Sequence, residues 1–219
     1  MRPSSPLFIA VPLLVVSAAL AQQPKSAKKP LAVVACGPVA DQKLKCAEFG
    51  FTYKVPGGWV DRTDYIQDDA DAGGVPGDHA DTQNDDAAKS RTLLAIFSRP
   101  PGAPGETINS AVVIVAESLA NYHGIKTAAD YFGPITELAE QRGFKVVNEP
   151  YSFSVGAKAL VRGDFSKDRG KLTMWQSSLV MIDKGSIVSF TFLGGSEDEV
   201  DSLIESLSFG MRGSAAPKK

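Results

Sequence analysis

The sequence predicts an α+β domain: an antiparallel β-sheet covered by helices, the first on one face and the last on the other. Three observations lead there. Segments of strand periodicity outnumber segments of helical periodicity. The last three strand candidates, residues 157–165, 171–182 and 186–193, are joined by short turns containing Gly170 and Gly185, which makes an antiparallel meander. The two helical patterns fall between strands and after the last one.

The ends are read apart from the domain. Arg2, the apolar run over residues 7–20 and the small residues of Ala19-Leu20-Ala21 match a signal peptide cleaved after Ala21. The run is shorter than the ~20 residues a bilayer span needs, and Pro12 interrupts it. No membrane span is therefore expected after cleavage. Residues 22–34 read as a linker, residues 35–210 as one domain, and residues 211–219 as a basic disordered tail. Export places Cys36 and Cys46 in an oxidising compartment, where two cysteines and no others read as one disulfide. A redox or metal pair is the alternative, and it asks for closer spacing or further ligands.

The domain opens at residues 49–59. Phe49, Phe51, Tyr53 and Val55 alternate with Gly50, Thr52 and Lys54, which gives a strand with one buried face. Pro56-Gly57-Gly58 turns the chain, and Trp59 is expected to pack on the sheet it leaves. Residues 61–90 read as a long acidic loop. Residues 61–86 hold nine acidic residues against Arg62 alone, with few large apolar side chains to offset chain entropy.

Residues 91–98 and 108–115 are compact apolar runs, the second β-branched enough for a central strand, with a Pro/Gly-rich connection over 100–105. The first helix is expected from Thr127, capped by Thr127-x-x-Asp130, with Ala128, Tyr131, Phe132, Ile135, Leu138 and Ala139 on one face. Gly133-Pro134 either kinks it or divides it, with Pro134 in the first turn of the second piece. A strand over 144–155 precedes the meander. The closing helix is capped by Ser196 with Glu199 as its capping-box partner, and Val200, Leu203, Ile204 and Leu207 form its apolar stripe.

The strand ending in Val55-Pro-Gly-Gly-Trp59, the apolar hairpin, the helix ending in Arg142-Gly143-Phe144-Lys145-Val146-Val147 and the meander closed by a capped helix together resemble the PsbP-like superfamily, an α-β-α sandwich. The resemblance spans residues 49–209 and implies a non-catalytic, accessory or binding role. The long acidic insertion departs from the family's short connection there.

Chemistry is tested residue by residue. His79 and His123 lie in no H-E-x-x-H arrangement, and no G-x-S-x-G is present. Gly163…Gly170-Lys171 has the wrong spacing for a P-loop, and Leu172 stands where Ser or Thr is required. Glu197, Asp198 and Glu199 would repel an anion from the last helix start. The one candidate metal site is Asp68, Asp69 and Asp71, continued by Asp78, Asp81, Asp85 and Asp86; clustered carboxylates suit Ca²⁺ or Mn²⁺, although the spacing is not an EF-hand. A solvated, self-repelling loop is the competing reading. A net charge of −2 gives no field for nucleic acid. The expectation is an exported, periplasmic or secreted, non-enzymatic binding or accessory protein with a protein partner in the cell envelope. No catalytic residue or cofactor is expected, and Ca²⁺ is the candidate ligand of the alternative, a cation-binding module.

Overall fold

The computed structural model describes residues 36–71 and 90–210. The expected signal peptide, the linker, residues 72–89 of the acidic segment and the basic tail lie outside them.

Seven antiparallel strands form the main sheet: β3 (Val60–Asp61), β4 (Arg91–Phe97), β5 (Ala111–Ser118), β6 (Lys145–Val155), β7 (Lys158–Arg169), β8 (Leu172–Asp183) and β9 (Ser186–Gly194). Their order is β3-β4-β5-β9-β8-β7-β6. The meander β7-β8-β9 is as the turn chemistry predicts. Lys184 and Gly185 both take positive φ (51° and 76°), the left-handed pair that a two-residue hairpin needs to match strand twist.

A second sheet corrects the expected fold class. β1 (Lys43–Cys46), β2 (Phe51–Lys54) and β10 (Leu207–Phe209) pair in the order β1-β2-β10, apart from the main sheet. The alternation in β2 does bury one face, with Phe51 2% and Tyr53 0% exposed. That face looks across at the main sheet, where the Phe51 and Phe190 rings meet edge-on at 5.2 Å. The opening strand therefore belongs to the opposite layer and not to the meander's sheet. Helix α3 (Glu197–Glu205) lies on this side as well: Val200, Leu203 and Ile204 share one core cluster with Phe51, Tyr53, Phe190 and Phe192. One face of the main sheet is thus covered chiefly by another sheet, and a sandwich with helical layers on both faces is not what the chain forms.

The other face receives α2 (Phe132–Gln141). Phe132 packs with Val180 and Ile187, and Ala139 with Phe144 and Phe165. Gly163 of β7 makes room for this contact, since a Cβ there would lie 2.6 Å from Phe132 Cε1. The helix starts later than Thr127. Thr127 and Asp130 do exchange capping-box hydrogen bonds, Asp130 N to Thr127 Oγ1 at 3.3 Å and Thr127 N to Asp130 Oδ2 at 2.7 Å, but they close a separate turn. Pro134 has no N–H and fits only a first helical turn, so the helix begins anew at Phe132.

The expected acidic loop is also ordered at its start. α1 (Thr63–Asp71) follows β3 and lies along the edge of β4.

Candidate functional site

The two sheets leave an open side between the β1 edge of one and the β3–β4 edge of the other. A cleft of about 610 Å³ lies there, within the range of small-molecule sites. Its floor belongs to the core, because Leu44 of β1 and Leu93 of β4 are both buried members of the main hydrophobic cluster. The Cys36–Cys46 disulfide, as expected from the sequence, ties the chain before β1 to β1 itself and makes residues 36–39 one wall. Gly37 N adds a hydrogen bond to Lys45 O at 3.1 Å.

The opposite wall is residues 61–65, and hydrogen bonds to the β4 backbone fix it. Asp61 Oδ1 accepts from Thr63 N at 2.9 Å and from Thr63 Oγ1 at 2.6 Å. Thr63 Oγ1 in turn accepts from Ala95 N at 3.0 Å, and Arg62 N donates to Ala95 O at 2.8 Å. One turn on, Gln67 Oε1 accepts from Thr92 N at 2.6 Å and Gln67 Nε2 donates to Ser90 O at 3.3 Å. The start of α1 thus takes the place of a neighbouring strand and satisfies an edge that would otherwise be open. It also holds Arg62 and Tyr65 at the mouth of the cleft, Tyr65 64% exposed. Arg62 makes no side-chain hydrogen bond or ion pair with another described residue, whereas Arg91, also at the mouth, is paired to Glu48 at 2.5 Å.

A second constellation is built around the buried Asp164. Asn148 and Tyr151 of β6 stand opposite Asp164 and Arg162 of β7, with Glu149 and Pro150 bulged against Gly163. The bulge aims both β6 side chains at one carboxylate. Asp164 Oδ2 accepts from Asn148 Nδ2 and Tyr151 Oη, each at 3.1 Å. Its Oδ1 accepts from Arg162 Nε at 2.7 Å and Ser177 Oγ at 2.5 Å. Arg162 also reaches Asp201 of α3 at 2.8 Å and lies over the Phe153 ring at 5.2 Å. Burial pushes the Asp164 carboxyl up, but the hydrogen bonds from Ser177, Arg162 and Asn148 outweigh it and hold the group below the usual range. Four donors fill the carboxylate's acceptor positions. The network joins β6, β7, β8 and α3, and a fully engaged carboxylate has no lone pair left with which to take a substrate proton.

On the other face, Glu117 of β5 accepts from Tyr122 Oη at 2.6 Å and from Tyr131 Oη. This clamps the chain before α2 to the sheet.

Of the candidate metal residues, Asp68 lies exposed on α1. Asp69 and Asp71 fall on the same helix with side chains outside the described residues, as do Asp78, Asp81, Asp85, Asp86 and His79 in full. Among the described residues no group of three or more His, Cys, Asp or Glu is placed to hold a metal ion. His123 is exposed in the turn after β5. No helix among the described residues is long and apolar enough to cross a membrane. The residues that shape the cleft, Arg62, Thr63, Tyr65 and Gln67, escaped the sequence reading. Their one signal was Asp61-x-Thr63, an Asx-turn pattern ahead of Ile66.

No family model matches the chain, and no curated protein matches its sequence. Among solved structures, the chain is similar to cyanobacterial PsbP (CyanoP) from Synechocystis, at 14% identity over 83% of this chain and 100% of that one, with a TM-score of 0.42. It is similar to the Ran-binding protein Mog1p of Saccharomyces cerevisiae at 10% identity, over 79% and 86% of the two chains, TM-score 0.39. A third neighbour is LpqN, involved in cell envelope biogenesis of Mycobacterium tuberculosis, at 12% identity over 74% and 83%, TM-score 0.34. Structural neighbours thus include PsbP-like proteins, at low identity and low structural overlap.

Proposed function

We propose that the chain is an exported, non-enzymatic accessory protein that binds a protein partner in the cell envelope through the mouth of the cleft. The observation that carries this reading is the presentation of Tyr65 and Arg62. A tyrosine 64% exposed on α1 and, just before that helix, an arginine without a described partner line the same cleft on a segment anchored to β4. Tyr and Arg are the residue types that most often dominate binding energy at protein interfaces, and a rigid mount lowers the entropy lost on binding. The disulfide fits an oxidising compartment. The saturated Asp164 network supports a scaffold role for the most buried charges.

The test is a photo-crosslinking residue placed at Tyr65 in the producing cells, with the exposed Lys171 in the β7–β8 turn as control. A discrete adduct at position 65, absent at 171 and lost on Arg62→Glu, is expected. No adduct at 65, or equal adducts at both positions, would sink the reading.

A further inference from the structure

A sheet edge is a row of backbone donors and acceptors open to another strand, and the chain blunts three of the four edges of its two sheets. Thr63 and Gln67 hydrogen-bond along β4. The segment before β1 bridges back to it at Cys36–Cys46 and Ala40–Lys43, and β10 is only three residues long. The fourth edge is β6, eleven residues at the end of the main sheet with no strand beyond it among the described residues. Its first half is broken by the bulge and by Pro150. Its second half, Tyr151-Ser-Phe-Ser-Val155, runs in unbroken register with β7 and carries no charge.

The turn that follows decides which groups point outward. Gly156 has φ 58° at the first central position of the two-residue connection Gly156-Ala157, the type II′ arrangement that closes on a hydrogen bond between Val155 and Lys158. Bonded and non-bonded pairs alternate along an antiparallel ladder. Phe153 and Tyr151 therefore spend their backbone groups on β7, and the N–H and C=O of the exposed Ser152 and Ser154 face the open side. Pro150 has the same parity, as an edge proline should, because the N–H it lacks would face solvent. Among the described residues no turn or loop backbone bonds to Ser152 or Ser154 from that side.

We propose that this half-strand pairs antiparallel with the same half-strand of a second copy of the chain, about a two-fold axis at Phe153. The stretch is complementary to itself in that register. Ser152 meets Ser154 of the second copy, so the outward donors and acceptors match, and Tyr151 meets Val155, an aromatic against a β-branched side chain. No like charges oppose each other. Each copy has one such edge, so the pairing closes at a dimer with one continuous sheet. This surface lies at the end of the main sheet away from the cleft, and it does not depend on the accessory reading.

Purified protein is followed by sedimentation equilibrium over a range of concentrations. A reversible monomer–dimer equilibrium is expected below about 1 mM, because a short edge pairing gives only weak association. Ser154→Pro removes an outward N–H and leaves the bonds to β7 in place, so it should abolish the dimer while the melting temperature holds. Two double variants read the register, and they decide alone should the proline variant unfold. Ser152→Lys with Ser154→Glu sets Lys opposite Glu on both sides of the axis and should remain dimeric. Ser152→Lys with Ser154→Lys sets Lys opposite Lys and should associate about tenfold more weakly than the Lys/Glu variant. The inference is overturned if the wild type stays monomeric throughout, which would leave the edge to a strand from another protein, or if it assembles beyond a dimer. It is equally overturned if the dimer survives Ser154→Pro, or if the two charged variants associate alike. An absent adduct at Tyr65 bears only on the accessory reading, and a monomeric wild type only on this one.

Discussion

Arg162 Nε lies 2.7 Å from Asp164 Oδ1, two residues along one face of β7, with side chains only 12% and 9% exposed. Both charges are removed from water where the main sheet, its bulged edge strand and α3 converge. Burial of an ion pair is tolerated when every remaining donor and acceptor is satisfied, and here Asn148, Tyr151, Ser177 and Asp201 complete the set.

Removing one partner should therefore cost far more than removing both. Among the described residues, Asp164→Ala leaves Arg162 with the exposed Asp201 as its one remaining ion-pair partner, and a loss of about 3–5 kcal/mol is expected from chemical denaturation. Arg162→Met combined with Asp164→Leu should recover most of it. A double variant as unstable as the sum of its single changes would show that the two charges do not act as a pair.

The same carboxylate sets an acid limb. Its folded pKa lies below its ordinary value of 3.8, so its contribution is present above that value and is lost as pH falls through the folded pKa. The stability difference between wild type and Asp164→Asn should hold constant above pH ~5 and shrink below pH ~4. Urea midpoints measured down to pH 2 would show this, and a difference that ignores pH would mean Asp164 is not ionised in the fold.

Gly163 tests how closely α2 is seated. The missing Cβ lets Phe132 come down on β7, and Gly163→Ala would place a carbon 2.6 Å from the ring. Overpacking of this kind should cost about 1–3 kcal/mol. Phe132→Leu in the same chain should return part of it, because the smaller side chain vacates the contested space. No coupling between the two sites in thermal melts would refute the contact.

These residues also mark what the sequence reveals and what it hides. Local rules carried the meander, because Gly185 and Gly170 mark turns by their own conformational freedom. They carried the Ser196 cap as well, where Glu199 N donates to Ser196 Oγ at 3.1 Å. Period-two alternation correctly buried Phe51 and Tyr53, but it names a face and not a partner. Half of β2's pairing comes from β10, some 155 residues onward in the chain, so the second sheet could not be read. α1 was missed for a different reason. Thr63 and Gln67 shield β4 by hydrogen bonds, whereas helical periodicity registers only an apolar stripe. The Asp164 network was equally silent, since Arg162-Gly163-Asp164 reads as polar strand until Asn148 and Ser177 are brought beside it.

The disulfide should contribute through the unfolded chain. Cys36 and Cys46 are 10 residues apart, a loop for which the chain-entropy treatment gives about 2–3 kcal/mol. The Cys36→Ser, Cys46→Ser double variant should lose about that much in denaturant unfolding under non-reducing conditions. Adding reductant should bring the wild type to the same midpoint and leave the variant unmoved. A wild type indifferent to reductant would mean that the bridge stabilises nothing.

On the opposite face, Tyr122 and Tyr131 share the Glu117 carboxylate, their rings edge-on at 5.1 Å. Burial, then the hydrogen bond to Glu117, pushes the Tyr122 phenol up to about 12; burial and the Glu117 charge drive Tyr131 in the same direction. A raised folded pKa means that the neutral phenols stabilise the fold fully below their ordinary value of 10.0, and that this contribution is lost as pH rises through the folded values. The chain should therefore lose stability as pH climbs from about 10 to 12 and beyond. Four of its five tyrosines, Tyr53, Tyr122, Tyr131 and Tyr151, should ionise late in an ultraviolet absorbance titration, and two of them are held by Glu117. Glu117→Gln removes the negative charge but keeps an acceptor, so the part of the late component that belongs to Tyr122 and Tyr131 should move to lower pH while the melting temperature at neutral pH changes little. An unshifted titration in that variant would assign the high values to burial alone and would remove Glu117 as the clamp on the chain before α2.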